Sequence, residues 1–246
     1  MPDAAVILAG GSGSRMRGSV RDKVLEPICG VYKGKIRSIV AFGAFVESGR
    51  VSRAVFVCRD GAQRNAVGRL AGEFYPDCGV EIVFCGGGAR RQDSVLNGLR
   101  ALGAGEEGLV FIHDGARPLV GAENIVRLSD AARRDGAAVL AARVSDTIKK
   151  LSGDAGDLRA RILEDLDRPS LWAMQTPQVF RLPEIRAAYE KIASAGADVT
   201  DDVAAANAAG IGVSIVENFS PNPKITLPED IARIEFIISR GAAKNS

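Results

Sequence analysis

Short runs of mostly apolar residues alternate along this chain with amphipathic segments at helical spacing, and that alternation limits the fold more than any other feature. Residues 4–9, 53–58, 80–84, 109–113, 137–142 and 213–216 read as strands. Residues 36–47, 62–74, 91–102, 122–134, 183–195 and 200–209 carry helical periodicity between them. A last helix is expected over 228–239, with Pro228 in its first turn and two acids beside it. A strand that is apolar at nearly every position, rather than every second one, is covered on both faces. The chain therefore specifies an α/β fold built on a doubly wound, mostly parallel, Rossmann-like sheet. Ligands in such sheets bind beyond the carboxyl ends of the strands.

Residues 146–175 break the alternation. Three short β-like pieces, 147–151, 161–165 and 171–175, surround the polar turn Ser152-Gly153-Asp154-Ala155-Gly156-Asp157. A hairpin inserted into a parallel sheet has edges to cover and no core of its own. It is either a loose surface insertion or a projecting β-arm that packs on a second subunit, and the expectation is the arm of a homodimer. The 246 residues suit one domain over 1–246 with this arm as an excursion.

Net charge is +2, from 32 basic and 30 acidic residues, so whole-molecule attraction to nucleic acid or to a membrane is not expected. Phosphate affinity must come from a local cluster. The four cysteines, Cys29, Cys58, Cys78 and Cys85, have no Cys-x-x-Cys spacing and no histidine partner. They are expected as free thiols in a reducing cytoplasm. No apolar run reaches membrane-spanning length and no signal peptide precedes the first strand, which gives the same cytoplasmic expectation.

The first strand runs straight into Leu8-Ala9-Gly10-Gly11-Ser12-Gly13-Ser14-Arg15-Met16, with Lys23 beyond. Glycines let backbone N–H groups approach an oxyanion closely, and the two cations can neutralise what those groups cradle. The pattern suits a nucleoside triphosphate; the plain alternative is an ordinary strand-to-helix turn. It is not a P-loop, because no Gly-x-x-x-x-Gly-Lys-Ser/Thr run exists. A dinucleotide fingerprint would need a third glycine where Met16 or Arg17 stands, and an acid after the next strand. Those features are missing, which excludes a nicotinamide dehydrogenase.

At the end of the run 109–113 stands His113-Asp114-Gly115-Ala116-Arg117-Pro118. An acid there, facing a triphosphate, suits Mg²⁺, which prefers few protein carboxylates together with phosphate oxygens. Arg117 can meet a second anion, although an Asp-Gly pair also caps ordinary turns. His113 is expected to point into packing. Gly86-Gly87-Gly88-Ala89-Arg90-Arg91-Gln92-Asp93-Ser94 opens a helix and either reads a base edge or simply starts that helix. Thr147, Arg168, Thr176 and Lys224 fall in or beside loops at the same ligand-facing ends. Arg168 and Lys224, with Arg15, Lys23 and Arg117, gather more positive charge than a neutral substrate needs.

These motifs, in this order, resemble the 2-C-methyl-D-erythritol 4-phosphate cytidylyltransferases over about residues 4–240. The resemblance rests on Ala-Gly-Gly-x-Gly-x-Arg-Met from Ala9, Lys23, Gly-Gly-x-x-Arg-x-x-Ser from Gly87 to Ser94, His-Asp-x-Ala-Arg-Pro, Asp-Thr-Ile-Lys, Gln-Thr-Pro-Gln-x-Phe, Thr-Asp-Asp and Lys-Ile-Thr-x-Pro-Glu-Asp. It implies a nucleotidyltransferase that joins CTP to a polyol phosphate. Ala9, Gly10, Gly11 and Gly13 would wrap the phosphates, with Arg15 and Lys23 neutralising them. Gly88, Ala89 and Ser94 would read cytosine, and Asp114 would hold Mg²⁺. Thr176, Thr200 and Lys224 would face the acceptor, joined by Arg117, Thr147 and Arg168 from the partner subunit's side. Arg168 and Lys224 would share the catalytic role with Arg15 and Lys23.

The chain departs from the family at Val24-Leu25-Glu26-Pro27, where glutamine and an aromatic usually follow the lysine. It departs again at residues 30–37, which lack a His-Ser helix start, and at Ser220-Pro221-Asn222-Pro223, which lacks the usual acid. Two alternatives stay open at this level: a ribitol 5-phosphate cytidylyltransferase, a sister group sharing most of the motifs, and a nucleotide-binding module without turnover.

Overall fold

A computed structural model of the chain describes residues 3–10, 24–25, 27, 36–103, 107–152, 159 and 162–242. Its strands are β1 (Asp3–Leu8), β2 (Val51–Cys58), β3 (Glu81–Gly86), β4 (Leu109–Asp114), β5 (Ala137–Arg143), β6 (Lys149–Leu151), β7 (Leu163–Asp165), β8 (Trp172–Arg181) and β9 (Ser214–Glu217). The helices are α1 (Arg37–Ser48), α2 (Gly61–Phe74), α3 (Arg91–Ala101), α4 (Ala122–Asp135), α5 (Leu182–Ser194), α6 (Asp202–Ala208) and α7 (Glu229–Ala242).

Seven strands form one sheet in the order β3-β2-β1-β4-β8-β5-β9. The pairs β1–β2, β2–β3, β1–β4 and β5–β9 are parallel, whereas β8 runs antiparallel to both its neighbours. The apolar runs behave as their pattern requires. Along β1, Ala5 and Ile7 point into a layer with Phe42 and Phe45 of α1 and Phe111 of β4. Ala4, Val6 and Leu8 point into the opposite layer with Val95 and Leu99 of α3 and Ile185 and Tyr189 of α5. A smaller cluster joins Ala9, Val40, Ala116 and Ile225 to Ile234 and Ile238 of α7, beside the carboxyl ends of β1 and β4. No helix among the described residues is long and apolar enough to cross a membrane.

Two of the three β-like pieces expected in the inserted arm pair with each other, Lys149 opposite Asp165 and Leu151 opposite Leu163. The third, 171–175, corrects the expectation. It begins β8, a ten-residue strand that enters the main sheet between β4 and β5. Pro177 hid this strand, because a proline has no N–H to give a ladder and reads as a break in a central strand. The ladder accommodates it locally: pairing with β5 skips from Val139–Gln178 to Ala141–Met174, and pairing with β4 stops at Ile112–Gln178. Residues 175–177 thus lie in a gap of the ladder at the carboxyl end of β4, where their side chains are free to serve a site.

Helix α3 lies so close to the sheet that a Cβ on Gly98 would stand 2.4 Å from Val6 Cγ1 and 3.0 Å from Val57 Cγ2. Alanine favours a helix over glycine by about 1 kcal/mol. Overpacking against two fixed β-branched side chains costs about 1–3 kcal/mol, so the clash decides the sign. Gly98→Ala is expected to lower the urea midpoint of unfolding; an unchanged or raised midpoint would show that α3 can lift off the sheet freely.

Candidate active site

Asp114 closes β4 at the carboxyl edge of the sheet, 7% exposed. Lys224 Nζ lies 2.7 Å from its Oδ2, Arg91 Nε 3.4 Å from its Oδ1, and Arg117 Nε 3.9 Å from its Oδ2. Burial alone would raise the pKa of this carboxyl, but Arg91 and Lys224 outweigh it and hold the group well below the usual carboxylate range. Asp114 is therefore a fixed anion at any working pH. Burial draws the Arg117 pKa down, with Asp114 opposing it.

The turn after Asp114 is pinned from both sides. Gly115 N–H donates to Leu8 O, tying β4 to the end of β1, and Ile225 N–H donates to Ala116 O. The second bond sets the 222–226 segment, and with it Lys224, over the end of β4. Arg117 Nη1 donates to Asn222 O at 2.8 Å, and Asn222 Nδ2 donates to Thr176 O and Gln175 Oε1. Four side chains singled out from the sequence, Asp114, Arg117, Thr176 and Lys224, thus meet at one point.

His113 is fully buried against the Phe45 ring and orders this cluster from behind. Its Nε2 lies 3.1 Å from Arg117 O, which can only accept, so Nε2 carries the proton. Nδ1 then accepts from the Thr176 hydroxyl at 3.1 Å, and the hydroxyl oxygen accepts from Asp114 N–H at 3.1 Å. This chain of bonds needs a neutral ring, and burial pushes the His113 pKa down to about 4.

The remaining residues named from the sequence divide among three places. Ala9 and Gly10 both donate their N–H groups to Val57 O, at 3.0 and 2.7 Å, so the start of the glycine loop is anchored on the end of β2. Gly11, Gly13, Arg15 and Lys23 lie outside the described residues. Gly88 N–H donates to Ser94 Oγ at 2.9 Å, closing the 88–94 turn around the start of α3. A Cβ on Gly88 would lie 2.3 Å from Asp93 Cβ, so the turn needs glycine there; Ala89 beside it is exposed. Thr147 and Arg168 are exposed at the base of the arm, where Arg168 Nη1 donates to Ser145 O at 3.4 Å. Thr200 is exposed just before α6.

Several residues that shape the site take no role from the sequence alone, although Asp202 and Gln178 stand in motifs that are recognised there. Asp202 is fully buried; its two oxygens accept from Arg91 Nη1 and Nη2 at 2.9 and 2.8 Å, and Oδ1 also accepts from Tyr189 OH at 2.5 Å. Gln63 joins β1 to β2, donating to Ala9 O and accepting from Arg59 N–H. Gln178 accepts from Val203 N–H and fixes the start of α6 to β8. The doubled Arg90-Arg91 and the Thr-Asp-Asp run were visible, but not that they meet. No group of three or more His, Cys, Asp or Glu side chains gathers among the described residues. The single carboxylate of Asp114 suits a metal that arrives on a polyphosphate and takes most of its ligands from phosphate and water.

Comparison with known proteins decides the family. The family model for 2-C-methyl-D-erythritol 4-phosphate cytidylyltransferase matches residues 4–240. The chain is 38% identical over 240 residues to the enzyme of that name from Geobacillus kaustophilus, covering 98% of each chain. The chain belongs to the 2-C-methyl-D-erythritol 4-phosphate cytidylyltransferase family. Another family member, from Halalkalibacterium halodurans, is 36% identical over 239 residues, 97% of this chain and 98% of its own. The crystal structure of the Francisella tularensis family member shares 26% identity at a TM-score of 0.75, covering 96% of this chain and all of that one. That of the Anaerococcus prevotii 4-diphosphocytidyl-2C-methyl-D-erythritol synthase, at 24% identity and a TM-score of 0.80, shares the fold over 97% of this chain.

The neutral, buried His113 makes stability depend on pH. Its folded pKa lies below the ordinary value of about 6.5, so the unfolded chain binds the extra proton and stability falls as pH drops from about 6.5 towards 4. The loss from this group between pH 7 and pH 5 is about 2 kcal/mol. His113→Asn is expected to be less stable at pH 7 and to lack that share of the slope. Equal slopes in denaturant titrations of both proteins at the two pH values would contradict the bonding scheme.

Proposed function

We propose that this protein transfers a cytidylyl group from CTP to 2-C-methyl-D-erythritol 4-phosphate, giving the CDP-linked polyol and pyrophosphate, a step of isoprenoid precursor synthesis by the non-mevalonate route. The observation that carries the proposal is the cluster at the end of β4. There Lys224, Arg91 and Arg117 surround Asp114 in a chain that is 38% identical, end to end, to a cytidylyltransferase of that name.

The acceptor's phosphate monoester is already an anion at neutral pH, so no general base has to create the nucleophile. A phosphate oxygen attacks the α-phosphorus of CTP in line; the new P–O bond forms as the bond to the β-phosphate bridging oxygen breaks, and pyrophosphate carries off the electron pair. The obstacle is mutual repulsion of two polyanions and the charge gathering on the equatorial oxygens, which fixed cations relieve without reorganising. Among the described residues, Arg91, Arg117 and Lys224 oppose two carboxylates, Asp114 and Asp202, which leaves a surplus positive charge there for an incoming phosphate. In this scheme Ala9, Gly10, Gly11 and Gly13 shape the triphosphate loop, and Arg15 and Lys23 neutralise the phosphates. Gly88, Ala89 and Ser94 meet the base, while Thr176 and Thr200 meet the acceptor.

Magnesium, bound to the triphosphate, would supply a further charge against the leaving pyrophosphate, and Asp114 is the residue that would hold it. A homodimer through the arm places Thr147 and Arg168 at the acceptor site of a second copy. The arm's exposed Ile148, Ile162 and Leu163 support that assignment. A cytoplasmic location fits Cys78 and Cys85, which are free thiols.

Purified protein supplied with CTP, magnesium and either methylerythritol 4-phosphate or ribitol 5-phosphate is expected to release pyrophosphate with the first acceptor. Turnover confined to ribitol phosphate would move the protein to that reaction, and none with any polyol phosphate would refute cytidylyl transfer. Lys23→Ala and Arg15→Ala are each expected to cut kcat by about 10²–10³ with thermal unfolding unchanged. Leu163→Asp is expected to shift sedimentation from dimer to monomer and to depress turnover with it; a monomeric wild type would remove the arm from the site.

A further inference from the structure

Three consecutive residues just beyond the Gly86–Ala89 turn hold the segment that carries Thr200. Arg90 Nη1 donates to Asp198 Oδ1 at 2.5 Å. Gln92 donates from Nε2 to Ala197 O at 2.8 Å and accepts from Val199 N–H at 2.9 Å. Arg91 reaches past Thr200 to Asp202 with both terminal nitrogens while its Nε faces Asp114 at 3.4 Å. The Asp202 carboxylate has no exposure and is held from its other side by the buried Tyr189 hydroxyl.

We propose that Arg91 is a positioning residue that locks the acceptor-facing loop around Thr200 to the nucleotide-facing loop at Gly88–Ser94 and to Asp114, so that the two substrates are aligned as a pair. The proposal rests on the cytidylyl-transfer reading above. One planar guanidinium serves two carboxylates on different elements, and the fork that grips Asp202 fixes the direction in which Nε meets Asp114. A lysine is a point charge and cannot hold both geometries. A buried pair of this kind adds little stability over an apolar pair of the same size, so its use here lies in register. Burial would draw the Arg91 pKa down, but Asp202 and then Asp114 reverse that and keep the guanidinium charged.

A purely structural role would weaken the fold or degrade both substrates' parameters together; coupling predicts a split. For Arg91→Lys, the calorimetric Kd for CTP without acceptor is expected to stay within about twofold of wild type, while KM for methylerythritol phosphate rises about tenfold and kcat falls. Tyr189→Phe removes one hydroxyl and leaves both ion pairs; it is expected to raise the acceptor KM about threefold at an unchanged CTP Kd, and it decides the matter alone if Arg91→Lys does not fold. An unchanged acceptor KM in the folded variant, or equal losses for both substrates, overturns the proposal. A wild type that makes no CDP-linked product fails the cytidylyltransferase reading first, and the coupling falls with it; active wild type with no split in the variant fails the coupling alone.

Discussion

Everything in the site is arranged around one desolvated carboxylate. Asp114 has lost most of its water at the end of β4, and an isolated carboxylate in that position would take up a proton to escape the cost of burial. It stays ionised because Arg91, Arg117 and Lys224 stand about it, each delivered by a different part of the fold: the start of α3, the turn after β4, and the segment before α7. Removing any of these elements would strip the buried carboxylate of one of its three counter-charges. The ends of β1 and β3, where the chain runs into glycines, lie along the same edge of the sheet as this point, because parallel strands end together there.

The reversed strand β8 is what makes the edge more than a row of loops. Its interruption at residues 175–177 brings Thr176 under Asp114 and His113, and lets Gln175 and Gln178 tie the segments on either side. A regular strand there would have spent Asp114 N–H and Thr176 O on its ladder instead of on the Thr176 hydroxyl and Asn222. The histidine, neutral and out of contact with solvent, converts that irregularity into a fixed geometry by bonding Thr176 on one nitrogen and Arg117 O on the other. The cost is a group that weakens the fold in acid.

What the sequence made legible follows from the range over which each signal acts. Strands buried on both faces announce themselves within six residues, so β1, β2, β4 and β5 were readable almost to their ends. Asp114 and Arg117 stood out because polar groups just after an apolar run fall at the ligand-facing edge of such a sheet, whereas Thr176 and Lys224 took their roles from the family resemblance. Strand β8 was read short because Pro177 gives a local signal against a strand, and the tertiary context that accommodates it is a bulge in a neighbour's ladder. Arg91 and Asp202 are 111 residues apart, and nothing in either stretch tells an arginine that will be clamped from one that is solvated. Pairings of that kind are set by how α3 and α6 pack on the same face of the sheet, and a single sequence does not show it.

The charge balance of this edge argues for what it is built to meet. A stable core has no use for three cations and two carboxylates brought together, since apolar side chains of equal volume would hold the same elements at no desolvation cost. Among the described residues this cluster has one more cation than carboxylate, and an arriving anion would balance it. Because the cations are held by carboxylates rather than left free in water, they need little reordering when that anion comes. In the proposed reaction, two polyanions held side by side against this cluster would lose much of the repulsion that keeps them from reacting.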